Sequence, residues 1–478
     1  MSASNEAAVL AAEVKGKMIN IVGEGNFDDS KTGRLVYSYD ATPNFQSLPA
    51  AVVSPRNTRE AAEIVRICNE HKVPIVPRGS GTNLCAGTCP TEGGIVLLFR
   101  HMNKIIDIDE ENLTATVQPG VITLDLINAV EAKGLFYPPD PSSMKISTIG
   151  GNLNENSGGL RGLKYGVTRD YVMGLEAVLA NGDIIRTGGK LAKDVAGYDF
   201  TRLFVGSEGT LAIITEATLK LIPIPETKKT MLALYQDIES AAKSVSKIIA
   251  NKIIPATLEF LDQPTLEVVE AHAKIGLPTD VQAVLLIEQD GTPEMVNRDI
   301  ERMSAICKEE NAVSVQIAES DAQAEALSSA RRTALSALAR LKPTTILEDA
   351  TVPRSEIANM VRAINNIATK YHVKICTFGH AGDGNLHPTC PTDSRDKEEM
   401  ERVEKAFEEI FVKAVELGGT ITGEHGVGVM KAPYLELKLG KEGIAAMKAV
   451  KTALDPNNIM NPGKIFAKDS RKRVVITR

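Results

Sequence analysis

Six cysteines in 478 residues are too few for a disulfide scaffold, and reduced thiols are expected. Cys85 and Cys89 have no second pair behind them at zinc-ribbon spacing, so they read as structural or incidental thiols. No run of about 18 uninterrupted apolar residues occurs. The most apolar stretches, such as Gly94 to Phe99, have strand length, which excludes a spanning helix. Cationic excess is missing too: 54 Lys plus Arg face 61 Asp plus Glu, and a net charge of −7 gives no general attraction for nucleic acid or an anionic membrane. Met1 to Met18 lacks an apolar centre and any arginine and carries Glu6 and Glu13, unlike a signal or transit peptide, so a cytoplasmic location is expected. What is present is a globular composition, 43% hydrophobic and 24% charged, long enough for about three folding units.

Ala50 to Val76 reads as strand, turn, helix, strand, with Asn57 as helix N-cap, Glu60 three residues on, and Ile64, Val65 and Cys68 at helical spacing. Short strands follow at Ile95 to Phe99, Thr114 to Val117, Ala177 to Leu179, Ile184 to Arg186 and Leu211 to Thr215. Pro223 and Pro225 close this strand-rich part. Beyond them, strands (Ala283 to Glu288, Val313 to Ile317, Lys374 to Phe378) alternate with helices (Ile238 to Ala250, Glu294 to Lys308, Arg354 to Tyr371, Glu398 to Leu417). That order suits an α+β unit whose sheet is covered by helices on one face. The tail after Phe466 is basic and polar and reads as a solvated end.

Glycine is dense between Gly79 and Gly209, as expected where backbone turns tightly or approaches a ligand. Pro77-Arg78-Gly79-Ser80-Gly81-Thr82-Asn83 follows a strand and can aim backbone N–H groups at a pyrophosphate. It fits neither the Walker pattern nor the GxGxxG fingerprint. Pro138 to Ser142, Ser147 to Asn152, Asn156 to Gly159, Lys164 to Gly166 and Gly206 to Leu211 continue the series. In this order, RGSGTN, PPDPSS, STIGGN, KYG and GSEGTL, the segment Pro49 to Pro225 resembles the FAD-binding domain of the FAD-linked oxidases related to vanillyl-alcohol oxidase. The resemblance implies FAD contacts at Arg78, Gly79, Ser80, Gly81, Thr82 and Asn83, then at Pro139, Asp140 and Ser142. It extends them to Ser147, Thr148, Gly150, Gly151, Asn152, Ser157, Gly158 and Gly159, and to Gly206, Glu208 and Gly209. With no histidine between His101 and His272, non-covalent FAD is expected.

Of seven histidines, His380, His387 and His425 sit in glycine-rich stretches, and three glycines in Gly379 to His387 speak for imidazoles converging from a loop. Two neutral imidazoles and a carboxylate from Gly423 to Gly428 suit Zn, Fe(II) or Mn, with a further imidazole free for proton transfer. GHAGDGNLH and GEHGVG resemble the C-terminal domain of the group formed by D-lactate dehydrogenase, the glycolate oxidase FAD subunit and D-2-hydroxyglutarate dehydrogenase. That likeness implies His380, His387 and Glu424 as metal ligands, His425 as base, Arg331 on a helix as carboxylate clamp with Arg332 one position away, and Asn385 as a substrate or loop contact.

The expected activity is oxidation of a small 2-hydroxy acid, D-lactate ahead of glycolate, by hydride transfer to flavin N5. The expected layout is an FAD domain over 1–222, a substrate domain over 223–420, and a segment 421–478 that returns to the FAD domain. The chain has no Fe–S cysteine pattern, haem motif or NAD fingerprint. Electrons are therefore expected to pass to a partner: an electron-transferring flavoprotein, an iron–sulfur subunit, a quinone or a cytochrome. Two rival readings are a non-catalytic electron-transfer flavoprotein subunit, which would lack the metal ligands or His425, and a non-haem iron oxygenase, which would leave the flavin loops without a purpose.

Overall fold

The computed structural model of the chain describes residues 9–91 and 93–466, so the basic tail after Phe466 lies outside the described residues. Up to Pro223 the described residues form three sheets. In the first, Ala51–Val53 and Ile75–Arg78 both run parallel to Ile95–Leu98, and Phe27–Asp28 closes the edge. The helix Thr58–His71 provides the crossover; Asn57 caps it by accepting from Glu60 N at 3.0 Å, and its Ala61, Ala62, Ile64, Val65 and Cys68 face is buried against the sheet. The second sheet is antiparallel, in the order Ile105–Asp109, Thr114–Val117, Ile213–Lys220, Val172–Val178, Ile184–Gly188. A two-stranded ribbon pairs Leu135–Phe136 with Ile222–Pro223.

Among the described residues from Thr227 on, an antiparallel sheet of eight strands dominates, with Cys376–His380 and Asn385–Thr392 paired toward one end of its strand order. The expectation of helices on one face of this sheet is corrected. Alternate residues of Thr227–Tyr235 enter different clusters: Met231, Ala233 and Tyr235 pack with the helices Ile238–Ala250, Pro293–Glu309, Ile357–Tyr371 and Lys397–Glu416. Leu232 and Leu234 pack on the opposite side with the helices Gln263–Ala273 and Ala334–Leu338. The sequence alternates apolar with apolar here, which is what a sheet buried on both faces requires.

The chain then returns to the first sheet. Ile459 and Met460 enter its core beside Met18 and Ile75, Ile75 N donates to Ile459 O at 2.7 Å, and Asn461 N donates to Ile75 O at 2.7 Å. Lys451 is buried at this junction, where its ammonium donates to Thr210 O and Met460 O at 2.7 Å and pairs with Asp455.

Candidate active site

A cavity of about 450 Å³, within the range typical of small-molecule sites, lies where the glycine loops meet the eight-stranded sheet. Arg78, Gly79, Ser80, Gly81, Thr82 and Asn83 line one wall. Pro77 and Arg78 belong to the strand rather than to the loop, and the chain turns at Gly81, whose φ of +76° is one that glycine adopts without strain. Ser142, Thr148, Gly150, Gly151, Asn152, Ser157, Gly158 and Glu208 line the next part. The two loops touch: a Cβ on Gly79 would collide with Thr148 Oγ1. A narrow cradle of backbone and small polar groups of this kind fits a dinucleotide.

The remaining flavin-contact candidates lie behind this lining. Pro139 and Asp140 are buried, and Asp140 pairs with Arg332 at 2.9 Å. Ser147 accepts from Thr123 N at 2.9 Å through its carbonyl. Gly159 packs against the backbone of Asp140, Gly206 N donates to Leu153 O at 2.8 Å, and Gly209 abuts Pro77. Glu208 touches the cavity, but both its oxygens are taken: they accept from Val427 N and Gly428 N at 2.7 Å each. Beside it Glu155 is half-buried, and desolvation of its carboxyl and the Glu208 charge hold it well above the usual range.

The opposite wall carries the histidines. His380 and His387 do not come from a loop: His380 ends one strand, His387 lies inside the next, and a turn containing Gly382 and Gly384 joins them. The registers Phe378↔His387 and Glu259↔His380 put these four side chains on one sheet face. His380 Nε2 and His387 Nε2 lie 3.2 and 3.3 Å from Glu424 Oε1. Each ring's other nitrogen faces a buried carboxylate, Glu259 Oε1 at 2.7 Å from His380 Nδ1 and Asp349 Oδ1 at 3.2 Å from His387 Nδ1. Two nitrogens and an oxygen, with each imidazole oriented from behind, are a donor set that a divalent metal takes. Gly158 closes this corner, since a Cβ there would stand 2.6 Å from Glu424 Oε2.

His425 lines the cavity with its ring stacked on His387, centroids 5.2 Å apart. Its Nδ1 lies 3.0 Å from Asp349 Oδ1. Burial lowers its pKa to about 4, opposed by Asp349 and assisted by Lys431 and His387, so the imidazole is neutral near pH 7. His380 behaves in the other sense: burial disfavours its charge, but Glu259 and Glu424 outweigh this and raise it well above the usual histidine range. Burial likewise opposes ionisation of Glu424, and the two imidazoles nevertheless hold it well below the usual carboxylate range.

Arg331 is buried at the cavity wall, with Nη2 2.6 Å from Glu259 Oε2 and its guanidinium over the Phe378 ring at 4.7 Å. Arg332 also reaches the cavity. Asn385 stands outside the lining; its Oδ1 accepts from Thr351 Oγ1 at 2.6 Å, and its side chain abuts Gly423, so it supports the GEHG turn. Glu259 and Asp349 were missed in the sequence. Glu259 had a signal, a carboxylate between Leu258 and Phe260 in a strand buried on both faces, which must meet a partner. Asp349 had none, because its partners lie 38 to 82 residues away.

Residues 224–465 match the model of the FAD linked oxidases, C-terminal domain, and residues 49–188 match the FAD binding domain. The chain belongs to the FAD-linked oxidases. It is 76% identical over 470 residues to the glycolate oxidase subunit GlcD of Bacillus subtilis, covering 98% of this chain and 100% of that one. It is 35% identical to a D-lactate dehydrogenase of Anaerostipes hadrus, covering 95% and 96%, and 34% identical to a D-2-hydroxyglutarate dehydrogenase of Stutzerimonas stutzeri, covering 90% and 94%. In structure it resembles p-cresol methylhydroxylase, with a TM-score of 0.81 at 19% identity over 96% of this chain and 98% of that one. That likeness shows the vanillyl-alcohol oxidase type of fold. This FAD-linked oxidase is an enzyme with FAD as cofactor, and among the described residues no helix is long and apolar enough to cross a membrane.

Proposed function

We propose that this enzyme oxidises a small 2-hydroxy acid to the 2-oxo acid, with His425 as base. FAD is held without a covalent bond, and one divalent metal (Zn, Fe(II) or Mn) is held by His380, His387 and Glu424. The supporting observation is that a single cavity is lined both by the flavin loops and by His387, Glu424 and His425. The activity named for the 76% identical relative puts glycolate ahead of D-lactate, the reverse of the order expected from the motifs. When bound, FAD supplies a two-electron acceptor and the metal a Lewis acid. The chain's own residues do the rest. Arg331 attracts the substrate carboxylate, and the neutral imidazole of His425 takes the hydroxyl proton. Leu335, Leu347 and Phe378 form an apolar wall that excludes water and leaves room for a short side chain.

Electrons leave to a separate acceptor, an electron-transferring flavoprotein, an iron–sulfur subunit, a quinone or a cytochrome. The word subunit in the names of the Bacillus subtilis and Escherichia coli relatives fits such an arrangement. The same reading keeps the cytoplasm as location and the division into 1–222, 223–420 and 421–478. The deciding experiment is the anaerobic visible spectrum before and after adding glycolate, D-lactate or L-lactate. Bleaching of oxidised flavin by glycolate or D-lactate is expected, lost in His425→Ala and after chelation, and restored by metal in the chelated enzyme. Oxidised flavin that none of the three bleaches in metal-replete enzyme would overturn the reading.

A further inference from the structure

The cavity lining divides by chemistry. The glycine loops form the flavin side, His387, Glu424 and His425 the side that receives a hydroxyl, and Arg331 supplies a cation. Around Arg331 the lining turns apolar, with Leu84, Leu335, Leu347 and Phe378. Phe378 pairs in register with His387, and the Arg331 guanidinium stands over its ring at 4.7 Å. Leu347 and Phe378 are core members of one cluster, and Leu84 and Leu335 pack against it. Two polar neighbours leave this side unchanged. Arg332 reaches the lining, but its charge is committed to Asp140, 2.9 Å from Nη2, and Ser336 is exposed.

The α-carbon of a 2-hydroxy acid carries four groups, and the lining claims three of them. Hydride leaves toward the flavin side, the hydroxyl turns to the histidine side, and the carboxylate goes to Arg331. The fourth group therefore meets the apolar side. A hydrogen or a methyl is accepted there, whereas a second carboxylate would lose its water and find no partner. Leu347 and Phe378 are 9% and 3% exposed and belong to the packed sheet, so they do not yield space. Leu335 is half-buried on the five-residue helix Ala334–Leu338 and packs against the cluster from outside. We propose that Leu335 is the specificity-determining residue of this site: it sets the length of the substituent on the α-carbon and confines the enzyme to 2-hydroxy acids with a single carboxylate. The inference rests on the reading of this cavity as a 2-hydroxy-acid site and names its substrate class more narrowly.

Anaerobic flavin reduction in the metal-replete holoenzyme gives a kcat/KM for each of glycolate, D-lactate, D-2-hydroxyvalerate and D-2-hydroxyglutarate. One methylene in an apolar pocket is worth about 10- to 200-fold. In the wild type D-2-hydroxyvalerate is therefore expected at least about 100-fold below D-lactate, with D-2-hydroxyglutarate lowest. Leu335→Ala should raise the ratio of D-2-hydroxyvalerate to D-lactate about 10- to 100-fold and leave D-2-hydroxyglutarate lowest, because it adds space and no cation. Leu335→Phe should lower the ratio of D-lactate to glycolate about tenfold or more. A general loss of folding or rate acts on every acid alike, so these ratios report the wall and not stability. The 2-oxo acids give a second reading without turnover. The dissociation constant of 2-oxovalerate relative to pyruvate, read from the perturbed spectrum of oxidised flavin, should fall in Leu335→Ala about as far as the first ratio rises.

Reduction of the wild type by D-2-hydroxyglutarate as fast as by D-lactate would overturn the proposal, because the substituent side would then have to hold a cation; that result is readable even if both variants fail to fold. Oxidised flavin that none of the acids bleaches would remove the reaction on which the inference rests, and the inference with it. Bleaching by glycolate or D-lactate with ratios that neither variant moves would remove the Leu335 role alone.

Discussion

Arg332 donates from Nη2 to Asp140 Oδ2 at 2.9 Å across 192 residues of chain, joining the helix Asp321–Arg332 to the PPDPSS loop at the cavity. Asp140 is buried, and among the described residues its carboxylate also has the more distant Arg161 Nε, at 3.7 Å, and the Arg161 backbone N–H as partners. Arg332→Ala should therefore act on stability, lowering it by about 1–3 kcal/mol, with KM changed less than about threefold. Thermal unfolding together with steady-state kinetics checks this.

Arg331 has a different partner, and its removal should show two separable effects. Without the guanidinium, Glu259 is left buried beside His380, at a cost of about 3–5 kcal/mol. Loss of the carboxylate clamp should also raise KM about 10- to 100-fold, the equivalent of one charge-assisted hydrogen bond. Adding Glu259→Gln to Arg331→Ala should recover most of the melting temperature and none of the KM. Recovery of KM in the double variant would mean that Arg331 acts through Glu259 and not on substrate.

Glu208 ties the GSEG turn to the segment after His425. Glu208→Ala orphans two N–H groups, Val427 and Gly428, at about 1–3 kcal/mol each. The expected result is a lower melting temperature and slower flavin reduction, with Glu208→Gln intermediate because one acceptor oxygen remains. Wild-type stopped-flow reduction by Glu208→Ala would show that the turn holds its place without this contact.

Gly158 leaves room for the Glu424 carboxylate, and its φ lies outside the left-handed region, so alanine meets only the steric conflict with Glu424 Oε2. Gly158→Ala should weaken metal binding about tenfold or more while FAD stays bound, a loss in line with disturbing the support of a ligand. Metal analysis after dialysis, with flavin absorbance read on the same sample, tests the split.

Lys464 is buried and donates to Cys89 O at 2.6 Å and to Thr91 Oγ1 at 3.3 Å; burial lowers its pKa to about 8. Between that value and the ordinary lysine value near 10.5 the unfolded chain binds more protons than the folded one, so this group's contribution to stability rises with pH across about 8 to 10.5. Below about pH 8 both states are charged and the full burial cost, on the order of 3 kcal/mol, is present. Lys464→Met removes this dependence. The stability of the wild type relative to the variant should improve on going from pH 7 to pH 10, and an unchanged difference would contradict the assignment.

Local pattern made much of the architecture readable. The Asn57 cap, the helix Ile238–Ala250 and the strands Ala51–Val53 and Thr114–Val117 appear at the expected residues, because capping and side-chain periodicity act over a few positions. The errors fall where two local signals compete. Glycine in Gly379 to Gly384 spoke for a loop, but Gly379 lies inside a strand because the neighbouring backbones, Asn385 and Leu386, pass too close for any Cβ. Helices on one face were expected of a sheet that has them on both, since the order of elements does not tell to which side a crossover turns.

By itself the sequence determined the kinds of groups available: glycine-paired turns for a dinucleotide, two imidazoles and a carboxylate for a metal, a third imidazole and a pair of arginines. Their chemistry is intrinsic to the residue and needs no fold to be named. Which arginine meets which acid, which nitrogens of His380 and His387 face Glu424, and the convergence of Asp349 and Glu259 behind the rings were decided by tertiary structure. Each depends on contacts between residues that local propensity does not connect, such as Glu259 with His380 at a separation of 121. Strand register and chain return set those contacts, and with them the orientation of the imidazoles around Glu424.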